Sequence, residues 1–174
     1  TFWHTDTSVN SPHPHYLILD LGDNYPVGSF HYLPRQDGST GGVITSYEIY
    51  VSEDGTNWGN YVARGTLTSN NNEKQITFNT KTGRYIKFVS LSNIKGNGSA
   101  GAAEVEIFSG SEESTPEEDT SSPAVNDDGS ITISSITTDS QDNLYPVSNA
   151  IDGNSSTFWH TDTSVNSPHP HYLI

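Results

Sequence analysis

One stretch of this sequence occurs twice, letter for letter. Thr1–Ile18 and Thr157–Ile174 both read TFWHTDTSVNSPHPHYLI. A match of this length is far beyond chance, so the internal repeat constrains any fold that the chain can adopt. The simplest interpretation is a window on a longer array of near-identical units, each about 156 residues long. The window would then hold the back part of one unit, a spacer, and the front part of the next.

The composition favours an all-β domain and argues against several classes of partner. Short bursts of Val, Ile, Tyr and Phe are separated by Gly, Pro, Ser, Thr and Asn, which is typical of strands joined by turns. The formal net charge is −14, with 7 basic and 21 acidic residues. This charge repels phosphate, so we expect no nucleic acid partner, and no apolar run is long enough for membrane insertion. There is no cysteine; an acidic, Thr/Asn/Ser-rich repeat of this kind suits a secreted or cell-surface protein of prokaryotic origin.

Strand-like segments bounded by turn residues divide the chain into three parts. Residues 110–129 form an acidic Ser/Thr/Pro/Glu linker without a basic residue, a composition typical of solvated spacers. Residues 1–109 are then the C-terminal larger part of one repeat, and residues 130–174 are the N-terminal part of the next. If the repeated stretch is counted once, residues 130–174 and 19–109 together amount to about one domain of about 136 residues. Closely spaced strands with intervening turns favour an antiparallel β-sandwich; we expect strands at His15–Leu21, Val27–Leu33, Val43–Ser52, Tyr61–Leu67, Lys74–Phe78, Arg84–Leu91, Ala103–Phe108 and Ile131–Ile136.

Six segments together resemble one known family. They read NAIDGNSSTFWHT, HPHYLILDLG, FHYLPRQDG, SYEIYVSEDGTNWG, RYIKFVSLS and AAEVEIF. They are similar to the discoidin, or coagulation factor 5/8 type C, family and most of all to bacterial family 32 carbohydrate-binding modules. The order is rotated, because family members begin at the segment found here at 130 and end at the one found near 109. The resemblance implies a β-sandwich of the jelly-roll, galactose-binding-domain-like type, with ligand loops at one end.

A turn rich in oxygen atoms is a candidate calcium site. Asp152, Gly153 and Asn154 are followed by Thr157, and calcium prefers carboxylate and carbonyl oxygens held in tight turns. The same residues also occur in turns without metal. The resemblance implies a structural Ca²⁺ that pins the first and last segments of the domain together. It implies as ligands the Ala150 carbonyl, the Asp152 carboxylate, the Asn154 carbonyl, the Thr157 carbonyl and hydroxyl, the Ala103 carbonyl and the Glu104 carboxylate.

The resemblance also implies a site for galactose-like sugars. His4 and His160, each in an FWHT segment, match the family's histidine, and Arg35 in LPRQDG matches its arginine. A planar guanidinium can hold two hydroxyl oxygens at once. Asp37 is an additional candidate acceptor.

Three departures from the family pattern weaken that expectation. Thr7 and Thr163 stand where many members carry an aromatic residue, Gly41 and Gly42 replace a frequent asparagine, and the loop 96–101 has no aromatic residue. Each missing ring removes apolar burial of about 1–3 kcal/mol. The alternative is that the arginine and histidine are retained turn residues with no role in glycan binding.

Other motifs carry less information. His13 and His15, with His4 nearby in sequence, could bind zinc or copper, although no cysteine or further histidine pair completes such a set. No nucleophile elbow, Walker loop or zincin helix is present, so we expect no enzyme activity.

Two functions therefore remain open from the sequence. The first is a glycan-binding or adhesion module of a tandem-repeat surface protein, with cell-surface or matrix glycans and neighbouring repeats as partners. The alternative is a structural repeat of an extracellular stalk or filament, assembled head to tail without retained sugar binding. In either case the second copy of the repeated stretch is joined to Asp152 and should supply the calcium site. The first copy runs into Leu19–Leu21 and should supply a strand.

Overall fold

The computed structural model describes residues 12–110 and 124–162. His4, Thr7 and Thr163 lie outside these residues. The described chain is built almost wholly of strands, and it contains no helix long and apolar enough to cross a membrane. The elements are β1 (His15–Leu33), β2 (Ile44–Ser52), β3 (Ala63–Thr66), β4 (Lys74–Asn93), β5 (Gly101–Ala102), β6 (Glu104–Ser109), β7 (Ser130–Ile131), β8 (Ser135–Thr138), a 3-10 helix (Val147–Ala150) and β9 (Trp159–His160).

Two long antiparallel strands, β1 and β4, run through both layers of the sandwich. The first half of β1 pairs with the second half of β4 and with β8, and β2 and β3 continue this layer beyond β4. The second half of β1 pairs with the first half of β4 and with β6, and β7 follows β6. The layer orders are therefore β3-β2-β4-β1-β8 and β4-β1-β6-β7. A separate short pair joins β5 to β9.

A bulge allows β1 to serve both layers. Leu17, Leu19 and Leu21 are buried in its first half, whereas Phe30 and Tyr32 are buried in its second half. The alternation thus changes phase, and the pairing with β4 and β6 shifts register between Val27 and Ser29. An extra residue in one strand moves every later side chain to the other face. The prediction of two strands separated by a turn was wrong here, and the predicted strands at 74–78 and 84–91 are likewise one strand, β4.

The core lies between the two layers and is centred on Phe88. Its ring centroid lies 4.6 Å from that of Phe30, 5.5 Å from Tyr32 and 6.3 Å from Tyr47. Each fully buried side chain of this kind contributes about 1.5–3 kcal/mol. The Tyr32 hydroxyl donates to the Gly101 carbonyl at 2.8 Å and accepts from the Ile44 amide at 3.1 Å. It therefore ties β1 to β2 and β5 at the end of the sandwich where the candidate sites lie.

Residues 124–162 complete the sandwich formed by residues 12–110. They provide β7, β8 and β9, which pair with β6, β1 and β5. Phe158 and Trp159 of the second repeated copy are buried in the fold, and Leu17 of the first copy is buried in β1. The two identical stretches thus occupy different places in one sandwich.

Candidate functional site

The turn after the 3-10 helix gathers oxygen atoms around Asp152. The Thr157 hydroxyl lies 3.0 and 2.8 Å from the two Asp152 carboxylate oxygens and 2.8 Å from the Asn154 carbonyl. The Asn154 amide donates to the Asp152 carboxylate at 2.9 Å, and the Thr157 amide donates to the Asn154 carbonyl at 2.9 Å. Gly153 has a positive φ of 71°, a conformation that glycine adopts without a steric penalty. The short sequence DGN therefore folds back so that Thr157 meets Asp152.

Glu104 brings a second carboxylate to this turn from β6. Its Oε1 atom is buried and has no hydrogen-bond partner among the described residues. Burial, and next the negative charge of Asp152, raise the pKa of Glu104 to about 7. Ala150 and Ala103, which precede the two acidic residues closely in the chain, are both fully buried. The fold thus holds two carboxylates together in a place where one of them is poorly solvated.

This donor set fits a hard divalent cation. Calcium takes oxygen ligands from carboxylates, hydroxyls and carbonyls. The cluster offers all three kinds: the carboxylates of Asp152 and Glu104, the Thr157 hydroxyl and the Asn154 carbonyl. An unpartnered buried carboxylate oxygen is costly unless something neutralises it. The predicted side-chain ligands Asp152, Glu104 and Thr157 are therefore brought together by the fold, although they come from distant parts of the sequence.

Arg35 lies at the same end of the sandwich, in the loop after β1. Its Nε and Nη2 atoms donate to the two carboxylate oxygens of Asp37, the Nε contact being 2.8 Å long. Its Nη1 donates to the Gly41 carbonyl at 3.2 Å. The guanidinium holds the pKa of Asp37 below its usual range. Asp37, which the sequence predicts as an acceptor for the ligand, thus fixes the orientation of the Arg35 guanidinium.

Aromatic rings complete this surface. The Arg35 guanidinium carbon lies 4.2 Å from the centroid of the Phe158 ring, and Phe158 stacks on Tyr145 at 4.5 Å. The Tyr145 ring centroid lies 6.4 Å from that of His160. Burial lowers the pKa of His160, so the neutral imidazole is favoured. Arg35 and His160, two of the three predicted sugar contacts within the described residues, are therefore linked by ring contacts through Phe158 and Tyr145.

Tyr145 and the neighbouring Leu144 also lie at this surface, although the sequence did not predict them as site residues. Tyr145 is half-buried over Phe158, and Leu144 is 68% exposed. Both lie in the turn between β8 and the 3-10 helix, far in sequence from Arg35. The available signal was an apolar and an aromatic residue within an otherwise polar turn. Tyr145 provides a ring face at this surface even though the position of Thr163 lacks one.

A neighbouring loop holds the Arg35 turn in place. The Asn71 side-chain amide donates to the Arg35 carbonyl at 2.7 Å and to the Ser39 carbonyl at 2.9 Å. The Gln36 side-chain amide donates in return to the Asn71 carbonyl at 2.8 Å. Gly42 is required where it stands, because it has a φ of 80° and a Cβ there would lie 3.1 Å from the His160 ring. The turn is thus fixed from both sides before any ligand binds.

The histidines of the HPH segment have structural partners. His15 is fully buried, with Nδ1 2.9 Å from the Asp139 carboxylate and Nε2 2.6 Å from the Gly98 carbonyl. Nδ1 of His13 lies 3.2 Å from the Ser90 carbonyl. Because both ring nitrogens of His15 are engaged, the geometry gives no support to a zinc or copper site there.

Known proteins share both the sequence pattern and the fold. Residues 1–105 match the F5/8 type C domain family. Galactose oxidase of Gibberella zeae is 35% identical over 119 residues, which cover 67% of this chain and 18% of the relative. Sialidase of Micromonospora viridifaciens is 38% identical over 109 residues, which cover 62% of this chain and 17% of the relative. The chain therefore spans less than a fifth of these curated relatives.

A solved carbohydrate-binding module is similar in structure. CpGH89CBM32-5 from Clostridium perfringens was solved in complex with GalNAc-β-1,3-galactose. It superposes with a TM-score of 0.53 at 34% sequence identity, covering 57% of this chain and 68% of that chain. The antiparallel β-sandwich expected from the sequence is thus confirmed.

Proposed function

This chain belongs to the F5/8 type C domain family, and from that membership we propose that it is a non-catalytic glycan-binding module with a structural calcium ion. The observation that carries the glycan part is the surface formed by Arg35, His160 and Tyr145. It combines an oriented cationic donor, a neutral imidazole and a ring face. Sugars are recognised by that combination, because their hydroxyls need polar partners and their carbon faces need apolar ones.

Galactose- or GalNAc-containing glycans are the proposed ligand class. The ligand of CpGH89CBM32-5 is a disaccharide of these two sugars. In this chain, Arg35 would donate to adjacent sugar hydroxyls, His160 would exchange hydrogen bonds with a further hydroxyl, and Tyr145 would cover a sugar face. Asp37 serves chiefly to hold the guanidinium. A site with one half-exposed ring supports weak binding, with a dissociation constant of about 1 mM, or about −4 kcal/mol.

The calcium ion is proposed to be held by the carboxylates of Asp152 and Glu104, together with oxygens of Thr157 and Asn154. The unpartnered, buried Oε1 atom of Glu104 supports this proposal most directly. The fully buried Ala150 and Ala103 are the candidates for the remaining backbone carbonyl ligands. Calcium would supply charge neutralisation between β6 and the turn after the 3-10 helix. Its role would be structural.

Glycan binding is tested by titration of the purified chain with galactose, GalNAc and GalNAc-β-1,3-galactose, in the presence of calcium. Arg35→Ala should lower the affinity at least tenfold, because a charge-assisted hydrogen bond contributes about 1.5–3 kcal/mol. Arg64→Ala is the matched control, since Arg64 is an exposed arginine that lies 5.8 Å from the Tyr61 ring on another part of the surface. Circular dichroism verifies that each variant is folded. Equal affinities of the Arg35 and Arg64 variants, or no binding by the wild type at tens of millimolar sugar, would refute the proposal.

In the full-length protein, we propose that the module is extracellular and attaches a larger surface protein or enzyme to glycans. Glycans are abundant outside cells, and the calcium that the cluster would hold is plentiful there. Copies of a weak module increase avidity without new contacts. The repeated stretch and the acidic linker at 110–129 suit such a tandem arrangement.

The repeat also favours a second candidate function, head-to-tail assembly with neighbouring repeats as a stalk or filament. The fold uses residues 157–162 of one copy and residues 12–18 of the other. Because the copies are identical in sequence, the corresponding part of a second chain could occupy either place. Exchange of this kind propagates when it does not close on itself. Light scattering over a wide concentration range tests it, with a chain lacking residues 163–174 as the control: a constant monomeric mass for both chains excludes assembly, and a mass that rises only in the full chain supports it.

A further inference from the structure

A second cluster of ligand-type side chains lies on the outer face of the layer formed by β4, β1 and β6. His31 lies in β1 between the buried Phe30 and Tyr32, so the alternation of the strand turns its ring away from the core. The register places Glu106 of β6 directly opposite His31. Glu73 immediately precedes β4, on the other side of β1. One ligand atom from each of His31, Glu73 and Glu106 can be chosen so that all three lie within 4.8 Å of one another.

The histidine ring of this cluster has a defined orientation. Its Nδ1 atom lies 3.4 Å from the Glu73 Oε1 atom. Its ring centroid lies 4.2 Å from that of Phe108, which packs against it at an interplanar angle of 34°. Packing against Phe108 therefore holds the His31 ring in an orientation that points Nδ1 towards Glu73.

The two carboxylates of this cluster lack a lysine or arginine partner in the described part of the chain. Lys74, the nearest basic residue in sequence, is buried and donates to Asn70 and Asn72. The cluster therefore combines two negatively charged carboxylates with one imidazole nitrogen donor. The net charge of the chain, −14, adds to the attraction for a cation.

We propose that His31, Glu73 and Glu106 form a binding site for a divalent transition metal of the zinc type. Zinc accepts imidazole nitrogen and carboxylate oxygen in a four-coordinate arrangement, and three protein ligands leave one position for water. The nitrogen donor distinguishes this site from the all-oxygen cluster around Asp152, because calcium and magnesium prefer oxygen ligands. Both glutamates are exposed, so their side chains are free to close from the present separation to bonding distance.

A metal ion at this site would also restrain the loop that holds the turn of Arg35. Glu73 follows the segment that carries Asn71, and Asn71 holds the turn of Arg35 through two hydrogen bonds. Coordination of Glu73 to His31 would anchor this loop to β1. Zinc should therefore raise the melting temperature of the domain through a route separate from calcium.

The test is a titration of the full chain with zinc chloride in calcium-containing buffer, followed by calorimetry. His31→Gln and Glu106→Gln should each lower the affinity for the tightest zinc at least tenfold. Glu53→Gln, at an exposed glutamate in the turn after β2, should leave it unchanged. Both test positions face outward, and a melting curve verifies that each variant is folded. An unchanged zinc affinity in the His31 variant would overturn the proposal.

A spectroscopic readout separates this site from the other histidines of the chain. Coordination through Nδ1 should move the ¹⁵N resonance of the His31 ring and fix the proton on Nε2. His15, whose ring nitrogens are both engaged, should not respond. Zinc-induced shifts on other histidines without a shift on His31 would overturn the assignment, whatever the calorimetric affinity.

Discussion

Replacement of Glu104 by glutamine should change the stability of the domain in opposite directions with and without calcium. With calcium bound, the variant loses a carboxylate ligand and should be less stable than the wild type. Without calcium, it loses the repulsion between Glu104 and Asp152 while the side chain keeps its shape. The metal-free variant should therefore be the more stable of the two at pH 8.

The size of both effects follows from the cluster. Burial and the Asp152 charge raise the pKa of Glu104 from 4.5 to about 7, and one pKa unit corresponds to about 1.4 kcal/mol. The whole shift would give about 3.5 kcal/mol, but the side chain is partly solvated, so screening leaves about 1 kcal/mol as the gain in the metal-free variant. Calcium at a hundredfold excess over its dissociation constant would stabilise the wild type by about 2.7 kcal/mol. For a domain of this size, these values correspond to about 4 °C and about 10 °C in melting temperature.

The assay is thermal unfolding of both proteins at pH 8, once with millimolar calcium and once with EDTA. Glu106→Gln is the matched control, because Glu106 is an exposed glutamate on the same strand. The buffers contain no zinc, so the proposed zinc site does not contribute to the stability of either protein. It should track the wild type in both buffers. A wild-type melting curve that calcium does not move, or a Glu104→Gln variant that is less stable than the wild type in EDTA as well, would refute this prediction.

Two further predictions follow from buried and paired groups. Tyr32→Phe removes the hydroxyl that joins Gly101 and Ile44 and leaves both backbone groups without that partner, so urea unfolding should show a loss of about 1–3 kcal/mol; a loss below 0.5 kcal/mol would contradict this. The hydrogen bond from Arg84 lowers the pKa of Asp20 in the folded state. The Asp20–Arg84 pair therefore contributes to the free energy of unfolding above about pH 4, and this contribution disappears as the pH falls through the pKa of the folded state. Asp20→Asn should therefore flatten the acid limb of the stability curve while costing less than about 1 kcal/mol at pH 7, and an unchanged acid limb would contradict the assignment.

The sequence was sufficient to predict the class of fold, because most strands carry a burial pattern of their own. β2 was expected at Val43–Ser52 and found at Ile44–Ser52. β1 was divided wrongly, since Gly22 and its polar neighbours looked like a turn. In the structure they continue the strand to Tyr25, which pairs with Gly83 of β4. Local residue preferences could not predict this, because it is pairing with β4 that keeps these polar residues extended.

The candidate site residues that could be predicted are those that lie in motifs resembling the family. Asp152, Glu104 and Arg35 lie in the motifs NAIDGNSST, AAEVEIF and LPRQDG. Tyr145 could not be predicted, because its contact with Phe158 depends on how β9 closes against β5. His31 and Glu106 also gave no sequence signal. They are neighbours only through the register of β1 and β6, and a shift of one residue would turn one of them into the core.

The division of the sandwich between residues 12–110 and residues 124–162 has a consequence for how the domain can be handled. The second segment adds strands to three different edges of the first, and it brings Trp159 into the core. Two such pieces are complementary fragments, each burying surface that the other needs. Produced as separate polypeptides, they should recognise each other and rebuild one sandwich, with the cluster at Glu104 and Asp152 spanning the break. The domain is therefore a candidate for a split reporter, whose reassembly the proposed calcium ion would stabilise.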